Sequence, residues 1–204
     1  MTQVVKVFRN LFLLGLLLVP PALSPAWAEP SSAEASLAEA NKSFTFKGRP
    51  IHPGLVKKFQ NWLSDYRPPM TVTLDVGAAY DSNEYGGAVT PGRDGGVSIS
   101  PGDKGERFFY KRLGRLDNGV HVLRTLDKSA GTGIFQTVTF VRFHLGAGFD
   151  RDGIKPSQRL LISVVRVYAL TGPTPPDIEI KGNEVRIKTG ARVALLRFDE
   201  EEHL

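Results

Sequence analysis

Residues 134–145 read IFQTVTFVRFHL, and residues 160–170 read LLISVVRVYAL. Both stretches are rich in β-branched and aromatic side chains, and both carry apolar residues at odd and even positions. Successive side chains of a strand point to opposite sides of its sheet, so a strand with this pattern is buried on both faces. We therefore expect these two stretches to form the central strands of a sheet.

Shorter segments with period-two alternation lie on both sides of the central pair. They predict strands at 44–48, 71–76, 107–116, 120–125, 178–181, 184–188 and 191–198. Asp117-Asn118-Gly119 and Gly182-Asn183 separate two pairs of these strands and favour hairpins, because Asn and Gly accept positive φ. The total is eight or nine strands.

One amphipathic helix is predicted between the strand at 44–48 and the remaining strands. Its apolar face consists of Leu55, Val56, Phe59, Trp62, Leu63 and Tyr66. Its polar face includes Lys57, Lys58 and Gln60. Pro53 suits the first helical position, and Pro68-Pro69 ends the pattern. Because strands and helices do not alternate along the chain, we expect an all-β fold, mainly an antiparallel sandwich or barrel, with the helix covering one end or one face.

The first 28 residues have the pattern of a cleavable export signal. Lys6 and Arg9 precede the apolar run 11–19, and Ala26-Trp27-Ala28 supplies small residues at a cleavage site. Pro20-Pro21 ends a run too short to span a membrane. We expect a periplasmic or extracellular protein. Cleavage would leave 24 basic and 21 acidic side chains and no cysteine, so the chain lacks disulfides and cysteine metal sites.

The remaining chain divides into an arm and one domain. Residues 29–42 are small and polar, with Leu37 as the only large apolar side chain, and we expect a flexible arm, with a short helix as the alternative. Residues 43–204 form a single β-rich domain. Lys and Arg on predicted edge strands discourage edge-to-edge pairing and favour a monomer.

The glycine-rich segment 77–105 is the first candidate binding site. It contains Tyr80, Asp81, Asn83, Glu84 and Tyr85, which together could stack on and hydrogen-bond a sugar or another polar ligand. The acid, amide and glycine of Asp81, Asn83 and Gly86 resemble the start of an EF-hand loop, but Gly92 stands where that loop needs Glu. Calcium is therefore a weak cofactor candidate, and the alternative is a set of hairpin turns.

The predicted hairpin 104–128 is the second candidate. It has seven basic and three acidic residues, and Lys111, Arg112, Arg115 and Arg124 are the candidate contacts for an anionic partner. Acidic glycans, lipid head groups and protein surfaces are the partners considered, and a solvated basic face is the alternative. Nucleic acid is not expected, since the RNA-binding strand signature lacks its glycines.

Catalytic patterns are weak. Asp75 is a charge in a predicted strand, and a glycosidase would need a second carboxylate opposite it. No G-x-S-x-G motif and no short metal-ligand spacing involves His52, His121, His144 or His203. We identify no catalytic residue and no metal ligand from the sequence. Convergence of Asp75, Asp81, Glu84, His121 and His144 in one pocket would favour catalysis.

The sequence favours an exported, non-catalytic β-domain that binds a polar or anionic ligand or partner. A carboxylate-based or cation-assisted hydrolase of cell-envelope polymers is the first alternative. A structural envelope protein without a small ligand is the second.

Overall fold

The computed structural model describes residues 31–62, 72–81, 85, 88–100, 105–128, 133–149, 154–171 and 175–198, with backbone only at 61, 62 and 81. Within these ranges the chain is mainly antiparallel β-structure, which confirms the predicted fold class. The predicted leader and the acidic tail lie outside the described residues.

The elements follow one another in a simple order. The helices are α1 (Ser32–Ser43), α2 (Pro53–Lys58), which continues as a 3₁₀ turn (Phe59–Trp62), and α3 (Val76–Asp81). The strands are β1 (Thr45–Phe46), β2 (Arg49–Pro50), β3 (Thr73–Asp75), β4 (Thr90–Pro91), β5 (Gly96–Ile99), β6 (Arg107–Arg115), β7 (His121–Lys128), β8 (Ile134–Phe149), β9 (Pro156–Leu170), β10 (Asp177–Lys181), β11 (Glu184–Thr189) and β12 (Arg192–Arg197).

A seven-stranded antiparallel sheet is the centre of the molecule, in the order β3-β9-β8-β7-β6-β5-β4. The predicted strands at 134–145 and 160–170 lie in β8 and β9, and β8 pairs with β9 from Gln136↔Leu170 to Phe149↔Pro156. A bulge after Phe140 shifts their register. The predicted central strands are therefore confirmed.

The two faces of this sheet are covered by different layers. On one face, which we call the helix face, Leu123, Val141 and Phe143 pack with Phe44 and Leu55 from the N-terminal segments. The opposite face carries Val122, Val138 and Phe140, which pack with residues of a three-stranded sheet, β10-β11-β12, that we call the meander. Since β8 contributes to both cores, its apolar residues at odd and even positions are both used.

The predicted hairpins have the expected turns. Gly119 has φ 91° and Gly182 has φ 58°, a region that glycine enters without steric cost. In the first turn the Asn118 side chain accepts from the Val120 amide and donates to the Phe198 carbonyl. The same turn therefore also ties the big sheet to the end of the meander.

The predicted flexible arm is wrong for residues 32–43, which form α1. Ser31 and Glu34 make a capping box, with each side chain bonded to the other residue's amide. Ala40 is fully buried and Leu37 packs on the helix-face core. The small side chains that suggested disorder instead allow the helix to approach the sheet closely.

The predicted helix at 53–66 is confirmed over its first part only. Leu55, Val56 and Phe59 are buried as expected, and residues 63–71 lie outside the described residues. Gln60, expected on the polar face, instead has Nε2 at 2.9–3.1 Å from the hydroxyls of three buried threonines. The change from α-helix to 3₁₀ turn at Phe59 alters the period and rotates Gln60 toward the sheet.

The strand predicted at 71–76 is shorter than expected. Asp75 ends β3 because its Oδ1 accepts hydrogen bonds from the amides of Gly77 and Ala78 and thereby starts α3.

None of the helices in the described ranges is long and apolar enough to cross a bilayer.

Candidate functional site

Two stretches of chain that are distant in sequence line a cavity of about 380 Å³ beside the β1–β2 hairpin, which we call the first hairpin. We call it the aromatic pocket. Its polar and aromatic lining consists of Arg49, His52, Tyr80 and Tyr85, and its apolar lining of Pro50, Ala79, Val89 and Pro91. These residues come from β2, the start of α2, α3 and the connection that leads into β4.

The chain reverses sharply to bring Arg49 and Pro50 to this cavity. Lys47 has φ 51° and Gly48 has φ 73°, and their amides both donate to the carboxylate of Glu39 in α1. The hairpin is therefore fixed to α1 by an acid that accepts the otherwise unpaired donors of the turn. Its second strand then runs along the rim of the pocket.

His52 is the N-cap of α2 and is 7% exposed. Its Nδ1 accepts a hydrogen bond from the Gly54 amide at 3.0 Å, so the proton of the neutral ring lies on Nε2. Burial lowers the pKa of His52, which keeps the ring neutral near pH 7. The neutral ring therefore has an N–H donor that the cap does not use.

Tyr80 closes the pocket on the side of α3. Its hydroxyl donates to the Pro50 carbonyl, and its ring lies 5.6 Å from the ring of Phe46. Burial raises the pKa of Tyr80 to about 12, so the hydroxyl remains protonated and keeps this hydrogen bond at ordinary pH. Tyr110 supports the next residue in the same way, since its hydroxyl donates to the Ile51 carbonyl at 2.6 Å.

Tyr85 is positioned by a glycine. A Cβ on Gly54 would lie 2.7 Å from the Tyr85 Cβ, closer than real side chains approach, so glycine is required for Tyr85 to lie against α2. The rings of Tyr85 and His52 are 5.6 Å apart and tilted by 31°. Lys58 Nζ lies 6.0 Å from the centre of the Tyr85 ring.

Arg49 is the exposed cation of the pocket. In the described ranges, no carboxylate lies within ion-pair distance of its guanidinium. The pocket therefore combines aromatic rings, one N–H donor on His52 and one cation. That set can stack on a flat molecule and hold an anionic group, because guanidinium groups pair with carboxylates and phosphates in a planar geometry.

Two of the five predicted ligand residues reach this pocket. Tyr80 and Tyr85 line it, whereas the Asp81 side chain, Asn83 and Glu84 lie outside the described residues. Sequence reasoning missed Arg49 and His52. The two prolines of the run Arg49-Pro50-Ile51-His52-Pro53 indicate a rigid connection, but nothing local indicates that it faces Tyr80 and Tyr85.

The predicted basic face is split by the register of the hairpin. Lys111 lies opposite Arg124, and both point away from the helix face. Arg112 lies opposite Leu123, and after a bulge Arg115 lies opposite His121, so these two arginines belong to the helix face. The four residues therefore do not form a single surface, and binding of an anionic partner by any of them stays a prediction.

Of the five residues whose convergence would favour catalysis, Asp75, His121 and His144 do not share one pocket, and the Asp81 side chain and Glu84 lie outside the described residues. Asp75 Oδ2 lies 3.7 Å from Arg159 Nε, beside a second cavity of about 250 Å³. His121 lies opposite Val141 on the helix face. His144 follows Val141 by three residues along β8, so its side chain points to the opposite face. Within the described part of the chain, no group of three or more His, Asp or Glu side chains could hold a metal ion.

No family model, no curated protein and no solved structure matches this chain. Its function is therefore inferred from the residues and contacts described above.

Proposed function

We propose that the protein is an exported, non-catalytic binding domain whose aromatic pocket holds a small planar ligand with an anionic group. One observation carries the proposal: Arg49 and His52 from one stretch of chain and Tyr80 and Tyr85 from another converge on one cavity of about 380 Å³. Ligand pockets of proteins are commonly about 300–1,000 Å³ and combine apolar walls with a few polar groups.

The chemistry of the lining supports a flat, acidic ligand. The aromatic rings and prolines favour a planar molecule, since aromatic pairs gain about 1 kcal/mol beyond the area they bury. Arg49 at the rim favours a carboxylate or a phosphate over a neutral group. The described lining contains no carboxylate, so we propose binding rather than hydrolysis.

The test compares planar acids with their matched neutral amides. The chain from Glu29 is titrated by calorimetry with pairs such as an indole or naphthalene carboxylate and the corresponding carboxamide. Ligands of this size are expected to bind with Kd of about 1 mM or below. Because an exposed ion pair contributes up to about 1 kcal/mol, each acid should bind about fivefold more tightly than its amide.

Arg49→Gln should remove this preference for the acid while leaving the affinity for the amide unchanged. Arg192→Gln, an exposed arginine on the meander, is the matched control and should keep the preference. Equal binding of acid and amide to the wild type, or loss of the preference in the Arg192 variant, would contradict the proposal. Resonances of Tyr80 and Tyr85 that do not move on titration would also contradict it.

A further inference from the structure

The face of the large sheet opposite the helices carries four basic side chains on two neighbouring strands, outside the part of this face that the meander covers. Arg107 lies directly opposite Lys128, and Lys111 lies directly opposite Arg124. We call these four residues the basic strip. Between the two pairs, Phe109 lies opposite Leu126 on the same face. The pairs are four residues apart along β6, which is about 13 Å.

Like charges directly opposite each other destabilise a sheet unless something neutralises them. Among the described carboxylates, only Asp94 forms an ion pair with the strip, with Oδ2 3.5 Å from Lys111 Nζ. Asp127 is close in sequence, but it points to the helix face, where it pairs with Lys57. The strip therefore has a surplus of positive charge that an external anion would neutralise.

Two large apolar side chains project at the same end of the sheet. Ile134 is 57% exposed and Phe135 is 62% exposed, at the start of β8. Ile134 lies opposite Lys128 and shares the face of the basic strip, whereas Phe135 lies opposite Asp127 and points to the helix face. Ile134 therefore continues the basic strip at this end of the sheet. Exposed apolar residues next to a basic surface are typical of proteins that lie on anionic membranes, where the apolar side chains enter the interface and the cations contact head groups.

We infer that the basic strip, extended by the exposed Ile134 at its end, forms a docking surface for an anionic lipid bilayer. This site is separate from the aromatic pocket, which is built by α2, α3 and the first hairpin. A soluble acidic polysaccharide would satisfy the four cations but would leave Ile134 exposed to water. The combination of charge and exposed apolar side chains therefore favours the bilayer.

The first arm of the test measures charge. The chain from Glu29, which keeps every described residue and omits the apolar leader, is sedimented with vesicles of phosphatidylcholine alone or of phosphatidylcholine and phosphatidylglycerol at about 3:1. Binding is expected only with the anionic vesicles, and it should fall as NaCl rises from about 50 to about 500 mM.

Each basic residue near an anionic surface contributes about a fivefold change in binding. Arg107→Gln with Lys128→Gln should therefore lower the partition coefficient roughly 25-fold. The matched control, Lys188→Gln with Arg192→Gln, removes the same charge from exposed positions on the meander and should have little effect. All four substituted residues are exposed, and circular dichroism checks that each variant keeps the fold.

The second arm measures the apolar contribution. Ile134→Ser should weaken binding to anionic vesicles severalfold at every salt concentration, whereas Phe135→Ser, on the helix face beside it, should have little effect. Phe149→Ser with Ile154→Ser removes comparably exposed side chains from the opposite end of the β8–β9 hairpin. This control should not weaken binding to anionic vesicles. The inference is overturned if the wild-type chain does not bind phosphatidylglycerol vesicles, if any control variant weakens binding as much as the variant it is compared with, or if only a soluble polyanion binds the strip.

Discussion

His121 is a fully buried histidine between two phenylalanine rings. Its ring centre lies 5.2 Å from that of Phe44 and 5.3 Å from that of Phe143. Nε2 lies 3.4 Å from the amide oxygen of Asn41, and Nδ1 is buried without a partner among the described residues. The neutral ring fits this environment, because Nε2 can donate while Nδ1 remains an unprotonated acceptor.

Protonation of His121 is therefore expected to destabilise the fold. Burial, together with the charges of Arg112 and Arg115, lowers the pKa of His121 to about 3. In the unfolded chain the pKa of His121 is near its ordinary value of 6.5, so the unfolded chain takes up the proton more readily. The contribution of His121 to stability is therefore present above pH 6.5 and is lost as the pH falls toward the pKa of the folded state. Between pH 7 and pH 5 this loss should be about 2 kcal/mol.

Urea unfolding at several pH values checks this contribution. His121→Gln should reduce the drop in unfolding free energy between pH 7 and pH 5 by about 2 kcal/mol. His52 and His144, whose pKa values are also lowered by burial, account for the slope that remains. An unchanged slope in the variant would show that His121 does not titrate in this range.

Arg112 shows why a basic residue in a strand need not serve a partner. Its Nη1 donates to the Lys42 carbonyl at 2.9 Å, in the last turn of α1. A cation at a helix C-terminus is favourable because the unpaired carbonyls there carry partial negative charge. Arg112 therefore has a structural role in joining α1 to the sheet.

At the scale of elements, Glu39 connects α1 to the first hairpin. One of its oxygens accepts from the Thr45 hydroxyl at 2.7 Å and from the Gly48 amide at 2.8 Å, and the other accepts from the Lys47 amide at 3.0 Å. These hydrogen bonds lower the pKa of Glu39. The carboxylate holds the reversed chain that places Arg49 at the aromatic pocket.

Glu39→Ala should therefore cost more stability than the removal of another acid from the same helix. We expect a loss of about 2 kcal/mol, because the turn would keep unpaired donors that the ionised acceptor now satisfies. Glu34→Ala, which removes one member of the capping box, should cost about 1 kcal/mol or less. Denaturant midpoints of the two variants decide this, and equal losses would argue against the anchoring role of Glu39.

At the scale of the whole molecule, one sheet separates two cores, and Phe198 attaches the outer layer. It is 1% exposed, and its ring lies 4.5 Å from that of Phe140 in β8. Its amide donates to the Asn183 carbonyl, and its carbonyl accepts from Asn118. The end of the described chain is therefore locked between the meander and the hairpin turn of the large sheet.

Phe198→Ala should destabilise the protein by about 4 kcal/mol, since it creates a cavity between the two sheets. Val193→Ala on the preceding strand is the control, because Val193 is 53% exposed and its truncation should cost no more than about 0.5 kcal/mol. Thermal unfolding of both variants tests this. A small loss for Phe198→Ala would mean that the meander is held mainly by other contacts.

The sequence by itself determined the fold class and the central strands of the sheet. Period-two alternation, two-sided apolar strands and Asn-Gly turns are local signals, so the central strands β8 and β9 and both hairpins could be predicted from neighbouring residues alone. The helix at 32–43 was only the alternative to a flexible arm, because its stability comes from a capping box and from the close packing of Ala40, which composition does not reveal.

Only the tertiary structure decided which side chains meet. Strand register placed Lys111 and Arg124 on one face and Arg112 and Arg115 on the other, and a single bulge changed the outcome. Arg49 and His52 joined Tyr80 and Tyr85 in one cavity through chain reversals that depend on contacts distant in sequence. A binding site depends on long-range packing, whereas a strand depends on its own alternation, and this is why the fold could be predicted and the pocket could not.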